Sequence, residues 1–183
     1  MGKYKNIYLL LIVFSVALFS EACENPHEEK AKKTDTFTGI TPDQTGWGVT
    51  VNFYDSSYTK AILKAGRTRI YKKRYETVLD RKIEVQFFSK ETQKRVSKLT
   101  SDSAIVDDRT KNIVAKGHVV IIADSSGTKL ETSILHWNNK TQKLYSTEFV
   151  KITTPSESLE GWGFESDQNL NNYKIYKVKG IKR

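Results

Sequence analysis

Three histidines, one cysteine and the adjacent carboxylates Asp107 and Asp108 stand out in this 183-residue chain as side chains of types that could support chemistry. His27 stands in a polar stretch. His118 and His136 stand within β-branched and aromatic segments, with no second histidine or cysteine at a metal-ligand spacing. Asp107 and Asp108 could serve as a general acid and base, but the matching place in a later repeat holds Asn138 and Asn139. Asp and Asn both suit a turn, so turn chemistry accounts for both pairs. No P-loop, nucleophile elbow or zinc helix motif occurs. The inventory points away from an enzyme, and no catalytic residue, metal ligand or cofactor is expected.

Cys23 is different, because the chemistry would be done to it. It is the sole cysteine, so an internal disulfide is impossible. Before it come Lys3 and Lys5, an apolar run over residues 7–20, and the small residues Ser20 and Ala22 around Glu21. This is the layout of a secretory signal, and a run of 14 apolar residues is short of the roughly 20 that a spanning helix needs. Residues 1–22 read as a lipoprotein-type signal peptide, with Cys23 as the residue to be acylated. Ser20 departs from the usual lipobox, which carries an aliphatic residue three before the cysteine. Removing the segment leaves 28 basic and 20 acidic side chains, a surplus of +8 that suits an acidic partner. Export argues against nucleic acid being that partner.

The elements that carry the rest are strands. Residues 23–45 mix charge with Thr, Pro and Gly without a sustained period and read as a flexible tether, leaving 46–183 as the folded domain. Order is expected from Trp47, where Trp47, Val49, Val51 and Phe53 alternate with small or polar residues. The strongest signal lies between residues 101 and 160, where one hairpin pattern is written twice. Thr110 matches Thr141 and Val119 matches Val150, both 31 residues apart. A more degenerate copy precedes it, with Ile70 and Ile83 standing 36 residues before Val106 and Val119. A partial copy closes the chain over residues 162–180. No window after residue 23 carries an amphipathic helix. The fold class is therefore all-β, a twisted open jelly roll of stacked antiparallel hairpins with two exposed edges.

The order of motifs resembles the LptC family, the periplasmic bridge subunits of the lipopolysaccharide export machine. It runs G-x-V at Gly117 and Val119, then Gly127, Leu130 and Thr132, then Leu135, Trp137, Thr141, Leu144 and Tyr145. Gly161, Gly163 and Phe164 follow, then Tyr173, Ile175, Val178 and Gly180. The resemblance implies a boat-shaped stack of strands whose apolar interior carries the acyl chains of lipopolysaccharide, with no enzyme activity. Alternation within the central strands proposes Val119, Ile121, Leu135, Tyr145, Val150 and Ile152 for that lipid groove. The family also implies an inner-membrane ABC transporter at one edge and a bridge protein of related fold at the other, joined by strand pairing. Position assigns Trp47, Val49, Val51 and Phe53 to the inward edge and Tyr173, Ile175 and Val178 to the outward one. The chain is expected in the periplasm, held to the inner membrane by a lipid on Cys23. Two other readings stay open. An envelope lipoprotein could bind a glycan or protein, with Trp47 and Trp162 exposed on loops. An esterase or glycosidase would need two carboxylates, or a nucleophile and base, meeting in a cleft.

Overall fold

Alternation of apolar and polar residues builds each strand. In residues 83–87, Ile83, Val85 and Phe87 are buried while Glu84 and Gln86 face outward. The computed structural model describes residues 41–55 and 57–182, which lie within the second of the chain's two units, Ile40–Arg183. The expected signal segment, Cys23 and most of the tether lie outside the described residues. Nine strands follow in order: β1 Gln44–Asp55, β2 Tyr58–Tyr71, β3 Glu76–Phe88, β4 Arg95–Asp107, β5 Ile113–Ala123, β6 Lys129–Trp137, β7 Leu144–Thr153, β8 Ser158–Ser166 and β9 Lys174–Lys182. They form a single antiparallel sheet in chain order, β1 to β9, and one 3-10 turn, Lys72–Arg74, joins β2 to β3.

β1 begins at Gln44, three residues before Trp47. Its start is held by the backbone rather than by apolar side chains. The Asp43 amide donates to the Ile70 carbonyl at 2.8 Å, and the Lys72 amide donates to the Asp43 carboxylate at 2.8 Å.

Hairpin turns recur in one form. Asp107 and Lys111 are joined by an amide-to-carbonyl bond, Lys111 is left-handed (φ 63°), and the Asp107 carboxylate accepts from the Arg109 and Thr110 amides. The next copy repeats this with Asn138, Gln142 (φ 58°) and the amides of Lys140 and Thr141. The Asp107–Asp108 pair is thus occupied with turn chemistry, Asp108 accepting from the Thr77 hydroxyl at 3.0 Å.

Regular pairing is interrupted at mid-strand in six consecutive strand pairs, from β2–β3 to β7–β8. Bulges bend strands, and a row of them folds the sheet across its middle. Residues from both halves enter one core. Phe53 and Phe87 of one half meet Trp137 of the other at ring-centroid distances of 5.5 Å. Tyr58 bonds Gln142 across the same seam, and Lys60 Nζ donates to the Asn139 carbonyl at 3.3 Å. The sheet is curled but unclosed, because β1 and β9 each pair on one side.

The crossings at the bend admit one Cβ each. A Cβ on Gly66 of β2 would meet the Arg81 carbonyl at 2.7 Å, and one on Gly117 of β5 would meet the Asp102 carboxylate at 2.3 Å. Positions 66 and 81 stand 36 residues before 102 and 117. The repeats have therefore placed the glycine on opposite strands of an equivalent crossing.

Candidate functional site

The inner face of the folded sheet holds five of the six proposed groove residues: Val119, Ile121, Leu135, Val150 and Ile152, all buried to 1% exposure or less. They share one apolar cluster with Leu63, Val85, Leu99, Leu130 and Trp137. Tyr145 is a correction. Strand β7 buries Leu144, Ser146, Val150 and Ile152, which puts Tyr145 on the opposite face. There it is 43% exposed and stacks on His136 at 4.7 Å. Leu144, fully buried, is the residue that turns inward.

This interior is filled by its own side chains. A recess of about 330 Å³ opens at the β1 end, floored by Val51, Phe53 and Val106 and rimmed by Thr77, Asp108 and Lys111. It adjoins the seam where Phe53 meets Trp137. An acyl chain could enter the core only by parting the two halves of the sheet, because native interiors have no spare volume of that size.

The edges differ in chemistry. β1 carries a single charged residue, Asp55, at its end, whereas β9 carries four lysines and no acid. Of the proposed inward-edge residues, Trp47 is 61% exposed, Val49 and Val51 are half-buried, and Phe53 sends its ring into the core. At the outward edge, Tyr173 lies one residue before β9 and packs with Ile175 against the core, while Val178 is exposed. Burial, with Glu157 nearby, pushes the Tyr173 hydroxyl up from its ordinary pKa. Trp47 and Trp162 are both exposed as the glycan-binding reading expects, but they lie on strands rather than loops.

The outer face holds both strand histidines. His118 Nδ1 lies 2.7 Å from Asp102 Oδ2 in an open position. Burial, and then the Lys116 charge, push His136 below the usual histidine value. Among the described residues no three His, Cys, Asp or Glu side chains gather as a metal site.

Sequence reading did not find the most developed ion-pair network. Arg67 clamps Asp80 with two bonds of 2.8 and 2.7 Å, and Arg69 adds a third at 2.9 Å. Burial raises the Asp80 carboxyl, but the bonds and charges of the two arginines outweigh it and hold the group below its ordinary pKa. Only the register β2 to β3, which pairs Arg67 with Asp80, could have disclosed it. A carboxylate with a depressed folded pKa contributes stability that is full above its unfolded value and is lost as pH falls through the folded one. Asp80→Asn is expected to cost about 1–2 kcal/mol at neutral pH, and the gap to wild type should close as pH drops below about 3.9. Urea unfolding at a series of pH values measures it; a gap that stays constant into acid would contradict the ion-pair account.

A family profile described as "Lipopolysaccharide-assembly, LptC-related" matches residues 6–182. In fold, the chain is similar to the crystal structure of LptH, the LptA-homologous periplasmic component of the lipopolysaccharide transport device of Pseudomonas aeruginosa. That likeness has 14% identity and a TM-score of 0.50, over 64% of this chain and 82% of the other. No curated protein sequence matches significantly.

Proposed function

Since the chain belongs to the LptC-related family of lipopolysaccharide-assembly proteins, we propose that it takes lipopolysaccharide from the inner-membrane ABC transporter and passes it to the next bridge protein along the inner face of the sheet. The observation that carries this reading is an unclosed nine-stranded sheet with an apolar inner face and, among the described residues, an edge strand at each end that pairs on one side. Acyl chains would lie against Val119, Ile121, Leu135, Val150 and Ile152, with no chemistry done on them. The β1 edge would receive and the β9 edge would deliver. Added strands supply backbone hydrogen bonds at each joint and extend the apolar face across it. A lipid on Cys23 would hold the chain to the inner membrane.

Photo-crosslinking residues at Val119, Ile121, Val150 and Ile152 in growing cells test this directly. Outward-facing Ile122 and Tyr145 serve as controls, being 45% and 43% exposed. Lipopolysaccharide adducts are expected at the four inner positions and not at the controls. Folded, exported protein without inner-face adducts would sink the proposal and favour an envelope lipoprotein that binds a glycan or protein.

A further inference from the structure

The bend between β1 and β3 carries an arrangement that the interior reading does not use. Arg81 and Lys82 are consecutive left-handed residues, with φ of 65° and 60°. In the next repeat the equivalent pair is Gly117 and His118, so the more permissive residue fills the first position there. At position 81 the fold keeps an arginine in a conformation that disfavours a side chain. Strain held in this way is a pointer to function when the side chain has something to do.

Its surroundings indicate what that is. The Arg81 guanidinium lies 5.0 Å from the centroid of the Trp47 indole, and that of Arg67 lies 5.9 Å from it. Asp80, the nearest carboxylate in sequence, is already taken by Arg67 and Arg69. Among the described residues neither the Arg81 nor the Lys82 side chain has a hydrogen bond or ion pair, and both residues are exposed. Two guanidinium groups thus lie over an exposed indole, with Arg69 joined to the same Asp80 as Arg67 and Lys82 next to Arg81 in the chain. A guanidinium stacked on an aromatic ring keeps its N–H edge free and oriented, which suits bidentate contact with a phosphate.

We propose that Arg81, held over Trp47 on the outer face at the β1 edge, and Lys82, the next residue in the chain, form a binding site for a phosphate monoester. A phosphorylated sugar headgroup and free phosphate share this chemistry. The site does not depend on the interior carrying lipid, so it stands or falls apart from the crosslinking result.

The full chain labelled with 5-fluorotryptophan gives a fluorine resonance for each of Trp47, Trp137 and Trp162. Trp162 is the internal control, since it is also exposed and lies 5.7 Å from a cation, Lys179. Glucosamine 1-phosphate is expected to shift the Trp47 resonance and leave that of Trp162 in place, while glucosamine alone shifts neither. A stronger response to glucosamine 1-phosphate than to inorganic phosphate assigns the site to a sugar headgroup, and equal responses assign it to phosphate itself. The double variant Arg81→Gly, Lys82→Gly should weaken the response by about tenfold or more. It should also melt at a higher temperature than wild type, since glycine accepts both left-handed positions. A titration unchanged by that variant, or shifts of Trp47 and Trp162 in parallel, would overturn the proposal.

Discussion

Trp137→Ala is expected to cost about 3–5 kcal/mol, the range for deleting a buried aromatic side chain. Trp137 is 2% exposed and bridges the fold, meeting Phe53 of β1 edge-on and Phe87 of β3 at a tilt. Those contacts join the two halves of the bent sheet, so their loss opens the seam beside the recess as well as leaving a cavity. Trp137→Phe should be far milder. The buried indole Nε1 has no hydrogen-bond partner among the described residues, so deleting that donor removes an unsatisfied group along with some volume. Trp162→Ala, at a position 45% exposed, should stay within about 1 kcal/mol. Denaturant unfolding followed by circular dichroism measures all three. A Trp137→Ala cost below about 1 kcal/mol would mean that the seam is held by something other than this ring.

Gly161→Ala should cost about 3 kcal/mol, toward the upper end for overpacking, and should do so locally. Gly161 is buried in β8, and a Cβ there would meet the Lys177 carbonyl at 2.3 Å and Ile175 Cγ2 at 2.6 Å. A carbonyl in a strand cannot swing aside as a side-chain tip can, so β9 must shift bodily. Hydrogen exchange is the readout. Amide protection along β9 should fall, while the central strands β3 to β5 keep theirs. Gly180→Ala is the control on the same strand, because nothing lies within 4 Å of its Cβ position. If β9 is the delivering edge, Gly161→Ala should also weaken strand pairing there. Unchanged protection of β9 would rule out the close approach that the geometry describes.

Part of this molecule could be read from the chain alone. The matched turns at Asp107 and Asn138 were visible because turn chemistry is local: a carboxylate or amide bonds amides two and three residues on, whatever lies elsewhere. The inward facing of Val119 with Ile121, and of Val150 with Ile152, followed from alternation within an uninterrupted stretch. Tyr145 failed for want of the same argument carried through, being an odd-numbered residue in a strand that buries even-numbered ones. The network around Asp80 and the approach of Arg81 to the Trp47 ring could not be seen, because each depends on how separate strands lie against one another.

The sequence by itself determined an all-β chain of repeated hairpins with apolar inner positions and little equipment for catalysis. Tertiary structure decided how those hairpins bend and what the bend brings together. Across it, β4 buries Ser97, Leu99 and Ser101 and then Ala104 and Val106, changing parity, whereas β5 buries Ile113, Ala115, Val119 and Ile121 without changing it. The physical reason is that facing after a bulge depends on how many residues are looped out, which neighbouring strands settle between them. Local preference sets the period of a strand, and only its partners set its phase.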